Sequence, residues 1–242
     1  MKQGNTIGNH IYVTLRKNII DLRLIPGSDI SIKDIAEMLE VSRSPVRDAL
    51  IRLEKEGLVD TIPQRGTFVS KIDLHRVDEE RFFRASLEEK VVELCMHRWN
   101  QDDIAEMEKK IQKQQESLRE KDYYKLLQYD DEFHEIFFRI ADKILCWDMI
   151  QNMSGHYRRM RHMALFDNAI IGKNIENHKA MADSLKNKKE EELIGLTRKH
   201  LSNLANETED IVRQFPSYFR GMEEKTAKEV NFLKRDFLNL MH

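Results

Sequence analysis

Cysteine is scarce in this chain, with only Cys95 and Cys146 in 242 residues. Each falls within an apolar helical pattern, which argues against a disulfide framework and against a Cys-based zinc site; both read as buried reduced thiols. Proline and glycine are also few, four and nine, and most of that punctuation lies before residue 67. Long uninterrupted stretches are left for helices. No window approaches the roughly eighteen apolar residues that a membrane span needs, and residues 1–12 lack the basic start and apolar run of a secretion signal. These absences predict a cytoplasmic protein with no membrane partner. A net charge of −2 excludes a wholly basic nucleic-acid coat but says little about a local patch.

What is present is a balance of 34 % charged and 40 % hydrophobic residues over a length that suits two modest domains. Ile11, Leu15, Ile19 and Leu22 mark a first amphipathic helix that stops at Pro26-Gly27. Ser31 and Asp34 have the spacing of a capping box and open a second helix carrying Ile35, Ala36 and Leu39. A turn at Glu40-Val41 leads to a third, in which Ser42 is placed to cap, Ser44 and Pro45 suit the first turn, and Val46, Ala49, Leu50 and Leu53 form one apolar stripe. Gly57 closes it, and 58–62 and 67–70 read as two strands joined by Pro63-Gln64-Arg65-Gly66. Three helices and a hairpin make a winged helix-turn-helix over 1–72. After a linker at 73–77, residues 78–220 show only helical periodicity, with helices at 77–98, 101–119, 122–141, 143–165, 170–187 and 189–213. Residues 221–242 read as one extra amphipathic helix. The fold class is mainly α, a winged helix-turn-helix followed by an all-α helical bundle.

Arg43 and Arg47, four apart, share the side of the third helix opposite its apolar stripe. A helix laid in the major groove needs short polar residues at its N-terminus for phosphates and arginines that reach guanine O6 and N7. Ser42, Arg43, Ser44 and Arg47 supply that chemistry. Lys33 is placed to meet the phosphate backbone, and Arg65 beside Gly66 forms a basic wing tip able to enter a minor groove. Two arginines on a helix, taken alone, more often make a solvated face; the order of elements is what favours the reading head.

The segment from Ser31-Ile32-Lys33-Asp34-Ile35-Ala36 through Val41-Ser42-Arg43-Ser44-Pro45-Val46-Arg47, with Leu53-Glu54-Lys55-Glu56-Gly57-Leu58-Val59 and Arg65-Gly66-Thr67-Phe68-Val69, resembles the DNA-binding domain of the GntR family of bacterial transcription regulators. The resemblance implies DNA-contacting roles for Lys33, Ser42, Arg43, Ser44, Arg47 and Gly66.

In the helical domain, Asp130 and His134 lie four apart on one helix face and are spaced to chelate one metal ion, while a surface pair at that spacing is equally ordinary. His178 and His200 fall on two later helices, and an Asp-His₃ set of N and O ligands forms only if they converge, which their spacing leaves open. The segments Asp130-Asp131-Glu132-Phe133-His134, Glu176-Asn177-His178 and Arg198-Lys199-His200-Leu201 resemble the ligand-bearing segments of the FCD effector domain, which marks the FadR-type branch of the same family. The resemblance implies a divalent metal, zinc first and nickel or manganese after it, held by Asp130, His134, His178 and His200. Asp131, three before His134, leaves the choice of carboxylate open by one residue.

Arg84-Ala85-Ser86-Leu87-Glu88 resembles the Arg-x-x-Leu-Glu opening of that domain, where the arginine faces the ligand pocket; a guanidinium near a metal favours a carboxylate effector. The other reading is a surface Arg84–Glu88 pair. His156 and His162, in a basic run with Arg158, Arg159 and Arg161, read as solvated or as a pocket rim. Two departures from the family pattern stand out. Ala141-Asp142-Lys143 occupies a place where a small residue and Gly-Asn are common, and Asn187-Lys188-Lys189 lacks the usual Gly-Asp, which puts two helix ends in doubt.

The expected function is a homodimeric, ligand-responsive repressor, not an enzyme, whose paired winged domains bind a palindromic double-stranded DNA operator and whose helical domains bind a small organic acid. The alternatives are a metal-dependent hydrolase, against which no general base stands out beside the ligands, and a direct metal sensor.

Overall fold

The computed structural model describes residues 7–165 and 168–222. The chain divides into a first unit of Met1–Leu74 with the residues from Val212 onward, and a second of His75–Ile211.

In the first unit, α1 (Ile7–Ile20), α2 (Ile32–Met38) and α3 (Arg43–Lys55) enclose a core of Ile11, Leu15, Ile19, Ile35, Val46, Leu50 and Leu53. Ser31 Oγ accepts from the Asp34 amide at 3.1 Å and so opens α2. Ser42 stands at the N-cap of α3 but its hydroxyl makes no capping bond, so the expected cap is a matter of position only. Polar contacts add to the packing of α1 on α3: Glu56 accepts from Tyr12 Oη and, at 2.7 Å, from Arg16 Nε, and the Arg52 guanidinium lies 3.5 Å from the centre of the Tyr12 ring.

The hairpin is β2 (Val59–Ile62) with β3 (Gly66–Val69), antiparallel and in register Thr61 with Thr67. A strand the sequence pattern did not reveal, β1 (Asp29–Ile30), pairs with the other edge of β3. Two residues are too few to show alternation. At the wing tip Gln64 and Gly66 have φ of 62° and 121°, and only glycine adopts the second without strain.

The second unit contains α4 (Leu74–Cys95), α5 (Gln101–Glu120), α6 (Tyr123–Ile140), α7 (Ile144–Met153), α8 (Gly155–Ala164), α9 (Asn168–Lys186) and most of α10 (Glu190–Gln214). Its core includes Val92, Met107, Phe133, Phe137, Phe138, Met181 and Leu185. Cys95 is buried there, donating to Phe137 O at 3.1 Å, and burial pushes its thiol up to about 12, so it is inert.

Where periodicity suggested one helix over 143–165, the chain breaks at Ser154 into α7 and α8. The cause is a buried carboxylate. Glu80 Oε2 accepts from the amides of His156 and Tyr157, each at 2.8 Å, and thereby caps α8 as a separate helix. Arg159 and His156 are buried as well, so this basic run is not a solvated face.

After α10 a 3₁₀ turn, Pro216–Tyr218, precedes Phe219, which is fully buried and pairs with Ile72 as an isolated parallel bridge. The Ile72 amide donates to Tyr218 O and the Arg220 amide to Ile72 O, both at 2.8 Å. Residues 212–220 therefore join the first unit, whereas periodicity had assigned 78–220 to the bundle. The helix expected over 221–242 lies, from residue 223, outside the described residues.

Five helices end with the same closure, in which an amide just past the end bonds back to the carbonyl five residues earlier: Val41 to Ala36, Leu58 to Leu53, Asp122 to Ser117, Lys143 to Phe138 and Lys189 to Ser184. The residue before each amide is left-handed. Gly57 serves α3, but Glu40, Lys121, Asp142 and Lys188 do the same work with φ between 52° and 58°. Asp142 and Lys188 lie within the two stretches that depart from the family pattern, so the helix ends survive there without glycine. An L-residue in that conformation costs about 1–2 kcal/mol, partly offset by glycine's greater freedom when unfolded. Lys188→Gly is expected to stabilise the protein by about 0.5–1 kcal/mol. Urea unfolding checks this, and an unchanged or lower midpoint counts against it.

Candidate metal centre and nucleic-acid interface

Arg43, Ser44 and Arg47 lie in the first two turns of α3, with Ser42 at its N-cap, and all four are exposed. The guanidinium groups of Arg43, Arg47 and Arg65 make no ion pair with any described residue, and Lys33 has only the exposed partner Glu37 at 3.7 Å. Arg65 and Gly66 stand exposed at the wing tip. All seven residues singled out for DNA thus belong to the first unit and face solvent, with cations free to meet phosphates or base edges.

In the second unit the structure brings together Asp130 and His134 of α6, His178 of α9 and His200 of α10, with one ligand atom from each lying within 4.8 Å of the others. His200 Nε2 is 3.1 Å from His134 Nε2 and 3.3 Å from His178 Nε2. Asp130 oxygens lie 3.5 Å from His178 Nε2 and 3.9 Å from His134 Nε2. Donors bound at about 2.05 Å to a tetrahedral ion stand about 3.3 Å apart, so the spacing suits one divalent cation.

The tautomers support that fit. His134 Nδ1 faces Glu88 Oε1, which only accepts, so Nδ1 carries the proton and Nε2 presents a lone pair. His178 Nδ1 lies 2.7 Å from Gln114 Oε1, and Gln114 Nε2 donates to Tyr129 O at 3.1 Å, which fixes the amide and leaves His178 Nε2 bare as well. The bare Nε2 atoms of His134 and His178 both face His200 Nε2, which meets them as a donor in one tautomer and joins them as a third metal ligand in the other. Burial, reinforced by Arg84, pushes the His134 imidazole down to about 3, and burial with the neighbouring histidines holds His178 and His200 well below the ordinary range. All three therefore stay neutral, the form that binds metal.

Asp131 is directed elsewhere. Its oxygens receive Arg161 Nη1 at 2.6 Å and Arg158 Nη2 at 3.0 Å; although burial opposes ionisation, these arginines hold its carboxyl far below the usual range. Arg161 also binds Asp130.

Arg84 and Glu88 form no surface pair, being 2 % and 0 % exposed, with Arg84 Nε donating to Glu88 Oε2 at 3.0 Å. Arg84 Nη2 is buried without a hydrogen-bond partner. It lines a cleft of about 620 Å³, solvent-filled mouth included, whose polar side also carries Asp130, Tyr157, Arg161 and His200. Gln114 escaped the sequence reading, and nothing in the sequence marks it; Glu88 was visible only as the i, i+4 partner of Arg84, and Arg161 only as a member of the basic run.

The family described as bacterial regulatory proteins, gntR family, matches residues 7–69, and the FCD domain matches residues 81–203. The chain is 32 % identical over 158 residues to the HTH-type transcriptional repressor RspR of Escherichia coli (strain K12), covering 65 % of this chain and 69 % of that protein. It is 27 % identical over 188 residues to the Nta operon transcriptional regulator of Aminobacter aminovorans, covering 78 % and 88 %. Among solved structures, Escherichia coli McbR/YncC aligns with a TM-score of 0.72 at 21 % identity over 88 % of this chain and all of that one. A GntR regulator from Rhodococcus sp. RHA1 aligns at 0.64, also 21 % identical, over 88 % and 99 %. At such identity the structural likeness speaks for the fold.

Two outcomes are expected. Gln114→Leu removes the acceptor that orients His178 and should weaken Zn²⁺ binding about 10–100-fold by competition titration, while unchanged affinity would contradict the assigned tautomer. Because the three imidazoles are depressed when folded, an unfolded chain takes up protons below about pH 6.5 that the folded one refuses. Metal-free protein should therefore lose stability as pH falls from about 6.5 towards 3, with His134→Gln flattening the slope of urea midpoint against pH.

Proposed function

Since the chain belongs to the GntR family of bacterial regulatory proteins and is an FCD-domain transcriptional regulator, not an enzyme, we propose that it is a metal-assisted, carboxylate-responsive repressor. The observation that carries this reading is the convergence of the Asp130, His134, His178 and His200 donors next to a cleft that Asp130, His200 and Arg84 line, with Nη2 of Arg84 unpartnered. A divalent ion at those four residues supplies a Lewis-acidic charge for an anionic effector. The chain's own part is to orient the imidazoles through Glu88 and Gln114 and to offer Arg84 Nη2 to the effector's acid group. Zinc suits the N₃O donor set best, with nickel or manganese as alternatives.

A homodimer in the cytoplasm presents two copies of α3 to a palindromic operator, with Arg43 and Arg47 at base edges, Ser42, Ser44 and Lys33 at phosphates, and Arg65 with Gly66 at the wing. The effector shifts DNA affinity only as far as it prefers one dimer arrangement, about 1–3 kcal/mol. RspR, a repressor by name, supports repression as the outcome of DNA binding. Direct metal sensing is the weaker reading, since it leaves Arg84 Nη2 without a ligand.

Arg43→Ala is expected to lose about 1–3 kcal/mol of operator affinity and relax base preference at one position, whereas Lys33→Ala weakens all sequences alike and lowers the salt slope by about one. Gel-shift titrations on operator and scrambled DNA check both, and equal binding by Arg43→Ala and wild type defeats the assignment. Response to an acid with Zn²⁺ present, and none to Zn²⁺ alone, separates effector response from metal sensing.

A further inference from the structure

The cleft beside the histidines is chemically two-sided. Beside its polar floor stand Leu126 and Leu127 of α6, one turn before Asp130, Ala164 and Leu165 at the end of α8, and Ile171 and Ile175 of α9, all buried. These walls offer no side-chain hydrogen-bonding group. The other polar residues of the lining are committed: Gln114 to His178 and Tyr129 O, and Asn174 is already engaged. On the floor, Arg161 is matched by Asp130 and Asp131, and Arg84 by Glu88; Arg84 Nη2 and His200 Nδ1 are buried without a hydrogen-bond partner, and of the two only the guanidinium carries a positive charge for an acid group.

Resting on the carboxylate reading above, we propose that the effector is a monocarboxylate with a hydrocarbon body, aliphatic or aromatic, its acid group on the floor and its carbons against the aliphatic walls. Polyhydroxy acids and acids with a second carboxylate are rejected. A hydroxyl carried to these walls gives up its water and finds no partner, which weakens binding on the order of tenfold or more, and a second carboxylate suffers more. Each methylene that leaves water for the walls strengthens binding roughly fourfold.

Calorimetric titration of Zn²⁺-loaded full-length protein with acetate, butyrate, hexanoate and gluconate tests this. Affinity is expected to climb several-fold per methylene from acetate to hexanoate, with gluconate at least tenfold weaker than hexanoate at the same carbon number. Gluconate binding as tightly as hexanoate overturns the hydrocarbon body and leaves the carboxylate reading standing. Hexanamide binding as tightly as hexanoate overturns the carboxylate reading, and no binding by any acid overturns both. Ala164→Leu narrows the wall and should weaken hexanoate at least tenfold while leaving acetate unchanged; equal loss for both acids contradicts the placement of the body. The wild-type series decides the matter even if that variant fails to fold.

Discussion

The carboxylate of Glu88 is the group on which the rest of the effector unit depends. It is fully buried, and one oxygen takes Arg84 Nε while the other takes His134 Nδ1. Removing one member of a buried pair of this kind typically costs about 3–5 kcal/mol, because a charge is stranded out of water. Here the same oxygens also set the chemistry. By accepting the hydrogen bond from Nδ1–H, Glu88 turns the Nε2 lone pair of His134 towards His178 and His200. By taking only Nε of Arg84, it leaves Nη2 without a hydrogen-bond partner.

Charge balance explains why such a site suits an anion. Three arginines, Arg84, Arg158 and Arg161, face three carboxylates, Glu88, Asp130 and Asp131, through ion pairs of 3.0 Å or less. The protein charges therefore cancel without help, and any divalent ion among the histidines brings its charge in uncompensated. A negatively charged ligand offsets part of that charge in a place where unbalanced charge is expensive. The site residues also lie on revealing elements. Arg84 and Glu88 are on α4 and His200 is on α10, and both helices run covalently into the winged unit, α4 at Leu74 and α10 beyond Ile211.

Much of the first unit was legible in the chain because its signals are local. Ser31 with Asp34, Gly57 after the apolar stripe of α3, and the turn around Arg65-Gly66 each act within a few residues, and each appears where the pattern put it. The short strand β1 was not legible, since its hydrogen bonds come from β3 some forty residues later. The break between α7 and α8 was hidden for the same reason. Ser154-Gly155 is the one local signal for it, and the carboxylate that caps α8 belongs to Glu80, two turns into another helix.

By itself the sequence determined the helical and strand periodicities, the exposed arginine face of α3, and the spacing that puts Asp130 and His134 on one side of α6, all consequences of backbone repeat and side-chain polarity. Only the tertiary structure decided that His178 and His200 meet that pair. It alone decided too that Asp131 turns to Arg158 and Arg161, and that Arg84 and Glu88 are buried, not solvated. The reason is physical: whether an i, i+4 pair meets water or another helix depends on which faces the bundle packs together, and that packing joins residues far apart in the chain.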